Sequence, residues 1–595
     1  MSNTSTQGGG INFAIKVGSN DIDSSYPVAA MLIDKTISKI PYAKITLHDG
    51  DPVQQTFPIS NHKIFAIGSN ITIQLGYQDS LETVFQGVIV KQTIRSSGHH
   101  NPCLVVDCRD AAYRTTLVPK NTSFTDLKDS DILSNIIGSY SDLRKDIAST
   151  TLQHETLAQQ ETTDWDFINM RAEANGQVVI VDDGKINIQK PQVSGSPAFT
   201  FSYGTNIQTL DLAMDARDQW QGAGARIWDP KEQDSQDTAA TDPGEQSFGK
   251  TAYNNLTSVN KQDPMMFYHG GTLAENEMTS LANSLLALNR ITKIRGKLTI
   301  QGIGTIKPGQ VIELDKGADD FQGIAYVSGV QHQIASGNWV TQLTVGLPNQ
   351  RYIRKYQDIM GLPAAGMLAP MHGLQIGTVK KLTNDPTQNY RIFVRLPMVH
   401  QSNEGVWCRI ASWYASQGIG AFFMPEIEDE VIVGFINDDF RSPVIVGSLY
   451  SSKHTPPIAI DENNAQKAFF SASQLELSFD DQDKILTLKT PGGRTICISD
   501  KDSTIEIMNG DANKVVLENG QVSIASNQDI TLDAKGNIQL TAGGNIVLKA
   551  SNEVNISGLN VSSKADMKAS LIGATSAEVQ ANATTIIKGG MVQIN

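Results

Sequence analysis

Cysteine is scarce: Cys103, Cys108, Cys408 and Cys497 are the whole complement of a 595-residue chain. So thin a set cannot frame a disulfide scaffold, which points to folding in a reducing compartment. No apolar run approaches the ~20 residues that carry a helix across a bilayer. The opening MSNTSTQGGG has neither a charged n-region nor an apolar h-region, so no secretory signal is expected and synthesis in the cytoplasm is. Basic blocks are missing as well. Lys and Arg number 48 against 62 Asp and Glu, leaving a net charge of -14, which argues against nucleic acid as a partner. Histidine stops at His454, so the last quarter of the chain has no imidazole for a metal. The length itself implies three or more domains, since single cores seldom exceed ~250–300 residues.

What is present instead is a repeat. Apolar pairs fall at Ile530 and Leu532, Ile538 and Leu540, Ile546 and Leu548, Val554 and Ile556, each pair starting eight residues after the last. Alternation within a pair is strand chemistry, and Gly536, Gly543, Gly544 and Asn552 punctuate the turns. Eight residues cannot encircle a core, because single-chain β-helices use coils of about twenty or more. The pattern predicts a needle in which identical chains wind round one axis and close each other's sheet edges. Beyond residue 557, Ala, Ser and Thr replace Ile and Leu, which implies a narrowing. The end, Met591, Val592, Gln593, Ile594 and Asn595, returns to apolar strand and is the expected seat of a capping partner.

Upstream the expected class is mainly β and multidomain. Residues 1–11 read as a disordered arm. Residues 12–360 form an α+β hub with strands near 71–77, 83–90, 103–108, 297–303, 310–314, 323–334 and 339–347. Residues 124–175 read as helical, with Asp164 as an N-cap and Gly176 as a C-cap; Asp183-Gly184 marks a hairpin and 272–292 a helix. Residues 229–262, poor in apolar groups, read as a mobile insertion. A linker at 361–370 precedes five short strands over 371–455, the pattern of an OB-type barrel, and 456–595 is the needle.

The barrel carries a resemblance. G-V-W-C-R-I-A-S (405–412), G-I-G-A-F-F-M-P-E-I-E-D-E-V-I-V-G-F (418–435) and S-P-V-I-V-G-S-L-Y (442–450) resemble the OB domain of the VgrG-type spike proteins of contractile injection systems. Glu428 stands where that family usually has glycine, implying a different turn. Upstream, 76–77, 85–87, 107–110 and 160–167 are similar to the family's hub, and K-T-P-G-G at 489–493 to its needle entrance. The resemblance implies a homotrimer that stacks on a hexameric tail tube among baseplate proteins. It also implies a PAAR-like tip protein, effector cargo and transient contact with a target membrane. The machine implied is type VI secretion, an extracellular injection particle or a phage tail. Trp407, Phe422, Phe423, Pro425, Val431 and Phe435 are the expected barrel-core or trimer-contact residues.

Chemistry is weighed against this mechanical reading. Only residues 451–470 separate barrel from needle, too few for the ~50 of a folded catalytic domain, so no enzyme, catalytic residue or cofactor is expected. His99, His100, Cys103 and Cys108 hold poor metal geometry, because cysteines five apart on a strand point to opposite faces. Residues 480–483 and 500–502 lack the glycine and distal glutamate of a calcium loop and are expected to be hairpin turns. Trp407 and Trp413 could stack a ligand, but the acidic run 426–430 offers no basic groove. A trimeric adhesin or tail fibre, and a phage hub with cell-wall hydrolase activity, are the alternatives.

Overall fold

The computed structural model describes residues 10–594 apart from 23, 24, 79, 99, 230, 231, 271–274, 357, 358, 360, 402, 403, 511 and 512. The expected arm therefore lies mostly outside the described residues, although Ile11 already belongs to a strand. Two compact units divide at Leu449 and Tyr450.

In the first unit, a 13-stranded sheet organises most of the hub. Its central seam pairs Gly323–Ala335 antiparallel with Val28–Thr36, joining the N-terminal strands to those of residues 294–345. Alternation inside the strands supplies two cores. One gathers Ile33, Ile45, Ile73, Phe85, Val106 and Trp339; the other gathers Leu298, Ile312, Val327 and Leu343. Trp339 stacks on Tyr77 at 5.3 Å between ring centroids. A Cβ at Gly302 would stand 2.0 Å from the indole, so only glycine lets the chain pass there. Beside Trp339 the buried His332 shares a hydrogen bond with the Thr341 hydroxyl at 3.0 Å. Burial, with a smaller push from Lys35, pulls its pKa down to about 3.

A smaller α+β layer packs helices Asp129–Gly138 and Asp164–Ala174 on the sheet of Val178–Asp182, Lys185–Gln189 and Arg144–Ile147. The hairpin turn is as expected, with Asp183 and Gly184 both at positive φ. Lys35, nearly buried, binds Asp182 and Asp183 and ties this hairpin to the large sheet. Two helical expectations are corrected. Thr163, not Asp164, caps the second helix, accepting from the Asp166 N–H at 3.1 Å; Asp164 is its first residue. Gln153–Thr163 is a strand laddered to Pro119–Lys128, because cross-strand pairing overrides the helix-forming Gln, Glu and Ala it contains.

The segment 229–262, expected to be mobile, carries regular structure among its described residues. Asp234–Ala239 pairs with Ala223–Asp229, and Tyr253–Asn260 is helical. Two buried cations hold it. The Arg290 guanidinium lies 4.0 Å from the Tyr253 ring centroid. Lys293 reaches Glu245 at 2.8 Å and the Thr251 carbonyl at 2.9 Å. Polar composition had hidden this, because the anchoring groups are ionic rather than greasy.

Within the same unit, Gln375–Lys381, Ile392–Arg395, Val406–Ile410, Pro443–Ser448 and Glu430–Phe435 close a five-stranded barrel. It encloses Val379, Val394, Cys408, Val431, Val433 and Ile445. Glu428 takes φ 73°, the left-handed conformation glycine adopts without strain. Lys380 holds its carboxylate through both oxygens at 2.7 and 2.8 Å. The different turn expected there is not needed.

In the second unit, seven strands from Gln466–Phe470 to Gln521–Ala525 form an antiparallel meander in sequence order. Residues 526–594 follow without a ladder of their own.

Candidate assembly surface

Alternation along the meander builds two chemically distinct faces. Register aligns Leu477, Leu488, Ile496, Ile507, Val515 and Ile524 in one cross-strand row. Phe479, Leu486, Ile498, Ile505, Leu517 and Val522 form a second row beside it. The opposite face aligns Ser478, Thr487, Cys497, Glu506, Val516 and Ser523. Such alternation is what a sheet shows when one side meets a core and the other water. Here the apolar side covers itself incompletely. Leu488, Ile496, Ile507 and Ile524 are all exposed in the single chain, and they line an open groove of about 750 Å³ that ends at Ile530, the first octad residue.

The octads are barer still. Ile530, Ile538, Ile546 and Val554 are 52–55% exposed, and Leu532, Leu540, Leu548 and Ile556 are 64–71% exposed. The two narrow bands follow the eight-residue spacing of the apolar pairs. The chain bends at 527–528, 535–536, 543–544, 551–552 and 559, then at 566–567, 574–575, 582–583 and 590–591. The eight-residue repeat thus continues to the end, with a single one-residue slip before 566. After the slip the second-place residues are Leu571, Val579 and Ile587, 69–73% exposed like their counterparts upstream. The first-place residues become Ala569, Ala577 and Thr585. Sequence reading missed this continuation because small side chains erased half of each apolar pair. Met591, Val592, Gln593 and Ile594 are exposed; Asn595 lies outside the described residues.

The barrel residues divide. Val431 and Pro425 are buried, while Trp407 and Phe435 are half-buried against Phe393 and Phe440. Phe422 and Phe423 are exposed and take no part in the barrel core, because they follow a protruding hairpin, Ala415–Ser416 with Ile419–Gly420, that also exposes Trp413. Cys108 is buried and Cys103 partly so, on opposite faces of one strand; burial pushes the Cys108 thiol up to about 12. His99 lies outside the described residues.

The acidic turns are hairpins. Asp480 accepts from the Asp483 N–H at 2.9 Å, which with neighbouring N–H groups keeps its carboxyl below the ordinary range. Ser499 donates to Asp502 at 2.8 Å. Among the described residues no three His, Cys, Asp or Glu side chains gather as metal ligands, and no helix is long and apolar enough to cross a membrane.

Two stretches of the first unit match known protein families. The family described as the Alg8 N-terminal domain matches residues 7–336, more than half of the chain. The type VI secretion system/phage-baseplate injector OB domain matches residues 375–450, the closed barrel. Spike protein VgrG3 of Vibrio cholerae is 33% identical over 88 residues, 14% of this chain and 9% of that protein. Spike protein VgrG1a of Pseudomonas aeruginosa is 23% identical over 192 residues, 30% of this chain and 29% of that protein. The chain thus aligns with less than a third of the length of either relative. A type VI secretion component of E. coli superposes with a TM-score of 0.35 at 15% identity, over 73% of this chain and 99% of that one. With one family model matching residues 7–336, more than half of its length, the chain belongs to the Alg8 N-terminal domain family, and with the injector OB domain and the spike relatives beside it, it is a VgrG-type spike protein.

Proposed function

We propose that three copies of the chain wind together along residues 466–594 into the needle of the injection machine. The observation that carries this reading is the strict eight-residue recurrence of exposed apolar side chains in a segment without a ladder of its own. Burying each such side chain is worth roughly 1.5–3 kcal/mol, and a single chain leaves that gain unrealised. In a three-fold arrangement the rows of Ile496 and Ile498 face the axis and continue into the octads. The alanines at 569 and 577 let the backbones approach more closely towards the tip.

The hub of residues 12–360 then caps a hexameric tail tube among baseplate proteins, and the needle carries a PAAR-like tip protein on residues 591–595 together with effector cargo. The work is mechanical: sheath contraction drives the spike through a target membrane, and no chemical step is assigned to the chain. Synthesis is cytoplasmic and delivery is by the particle. Strands braided through three chains resist local fraying, which favours the slow unfolding such a device needs. Light scattering on the full chain tests the reading. A particle of three times 64.5 kDa is expected, and a folded, soluble monomer at any working concentration sinks it.

A further inference from the structure

A strict repeat leaves identical chains free to pair out of step. From Ile530 to Ile556 each unit presents an apolar pair at the same two places. If one chain loops out a whole unit and continues, each later pair still meets an apolar pair on its neighbours. A shift by a full period leaves every side chain facing as before, so repetition alone does not fix register. The folded parts upstream fix where the octad segments begin. Eight further units separate that point from the chain ends, and a slip in any of them would leave the ends uneven.

One unit departs from the pattern twice. The bends begin at 527, 535, 543, 551 and 559, then at 566, 574, 582 and 590, so the interval from 559 to 566 is seven residues where all the others are eight. Its contents differ too. Elsewhere the two places stand three and five residues after the bend begins, as Ile530 and Leu532 do after 527. Counted the same way from 559, they fall to Ser562 and Lys564. Lys564 lies 3.9 Å from Asp566, both strongly exposed in the single chain. A polar residue in an otherwise apolar seam specifies register between identical chains, because a mismatch sets it against apolar partners. Resting on the three-copy reading above, we propose that residues 559–566 are the contact that sets the register between copies of this chain. In register, three short units lie at one level, with each Lys564 among the Asp566 carboxylates. After an upstream slip of one unit, a seven-residue unit faces an eight-residue one, and Lys564 faces Ile556 or Leu571 of a neighbour. Residues 591–594 of all copies then finish level, as a partner seated on all three would require.

Spin labels read the register directly. In the full chain Cys103 and Cys497 are replaced by serine, leaving the buried Cys108 and Cys408. Asn582→Cys, at a bend beyond the short unit, then carries a nitroxide. Pulsed dipolar spectroscopy should give one narrow distance, that of three labels at one level. A second variant makes the repeat unbroken by Ser562→Ile, Lys564→Leu and one serine inserted after position 564. It should add a second, longer distance from chains displaced by one unit. A third variant has the same changes and lacks Ile572, which moves the seven-residue unit one repeat onward. It should recover the single distance, which separates loss of register from damage by the insertion. Two distances in the native chain, a single distance in the unbroken variant, or no recovery in the third overturns the proposal and leaves the three-copy reading standing. Labels with no dipolar coupling between chains would sink both.

Discussion

The hub and the needle use the same alternating strands to opposite ends. In the hub each apolar row finds a second layer: Ile33, Ile45 and Ile73 are fully buried within one chain, and the buried Lys35 is paired with Asp182 and Asp183. In the second unit, rows of equal regularity stay open, and the opposite face carries Ser478, Thr487, Glu506 and Ser523. Alternation alone does not separate the two regions. What separates them is whether the chain folds back over its own apolar face. A region that does can be stable alone, whereas one that cannot has stability inseparable from copy number.

The sharpest way to break this comparison is to place charge on the open rows. Ile538→Asp with Ile546→Asp would put six carboxylates near the axis of a trimer, each costing several kcal/mol to bury. The expected outcome is loss of the trimer in sedimentation, with the hub's cooperative unfolding transition retained. If the double variant sediments as before, the octads do not face one another.

Acid should separate the regions next. His332 is neutral and buried in the hub, with a pKa near 3, whereas unfolded histidine titrates near ~6.5. Between those values the unfolded chain binds the extra proton, so hub stability falls as pH drops from about 6.5 towards 3, by up to ~1.4 kcal/mol per unit. No histidine follows His454, and the needle should hold through that window. Thermal scans at pH 7 and pH 5 should show an early transition moving and a late one standing still. His332→Gln should flatten the movement of the first.

A smaller effect tests whether the hub's ionic anchors matter as its greasy ones do. Glu245→Gln leaves Lys293 buried with the Thr251 carbonyl but without its carboxylate. Because Glu245 is partly open to water, about 1–3 kcal/mol is expected, at the low end for a buried pair. Hydrogen exchange should quicken over residues 245–260 and nowhere in the needle.

These contrasts also explain what could be read from residues alone. The barrel strands and the hairpin at Asp183-Gly184 are spelled in local pattern, and the structure places them where the pattern does. The strand Gln153–Thr163 was misread because its partner, Pro119–Lys128, is remote in sequence and decides its state. The 229–262 segment looked loose because its anchors, Arg290 and Lys293, lie outside it. The repeat beyond residue 557 faded because a narrow axis selects alanine and threonine, which leave little hydrophobic signal.

The smallest stability effect is expected at two exposed rings of the first unit. Phe422 and Phe423 follow the hairpin of Ala415–Ser416 and Ile419–Gly420, outside the barrel core. Replacing both by serine removes little that the single chain buries, so the barrel's own stability should move by about 0.5 kcal/mol or less. Val431→Ala, inside the barrel and fully buried, should lower it by roughly 1–3 kcal/mol. If the aromatics serve contacts between copies, the double serine variant should weaken trimer formation at low concentration while Val431→Ala, once folded, does not. The two readouts, denaturant midpoint and concentration-dependent sedimentation, must then move in opposite order for the two variants. A barrel that loses as much stability from Phe422 and Phe423 as from Val431 would mean these rings are packed within one chain after all, and that the division between closed and open surfaces runs elsewhere.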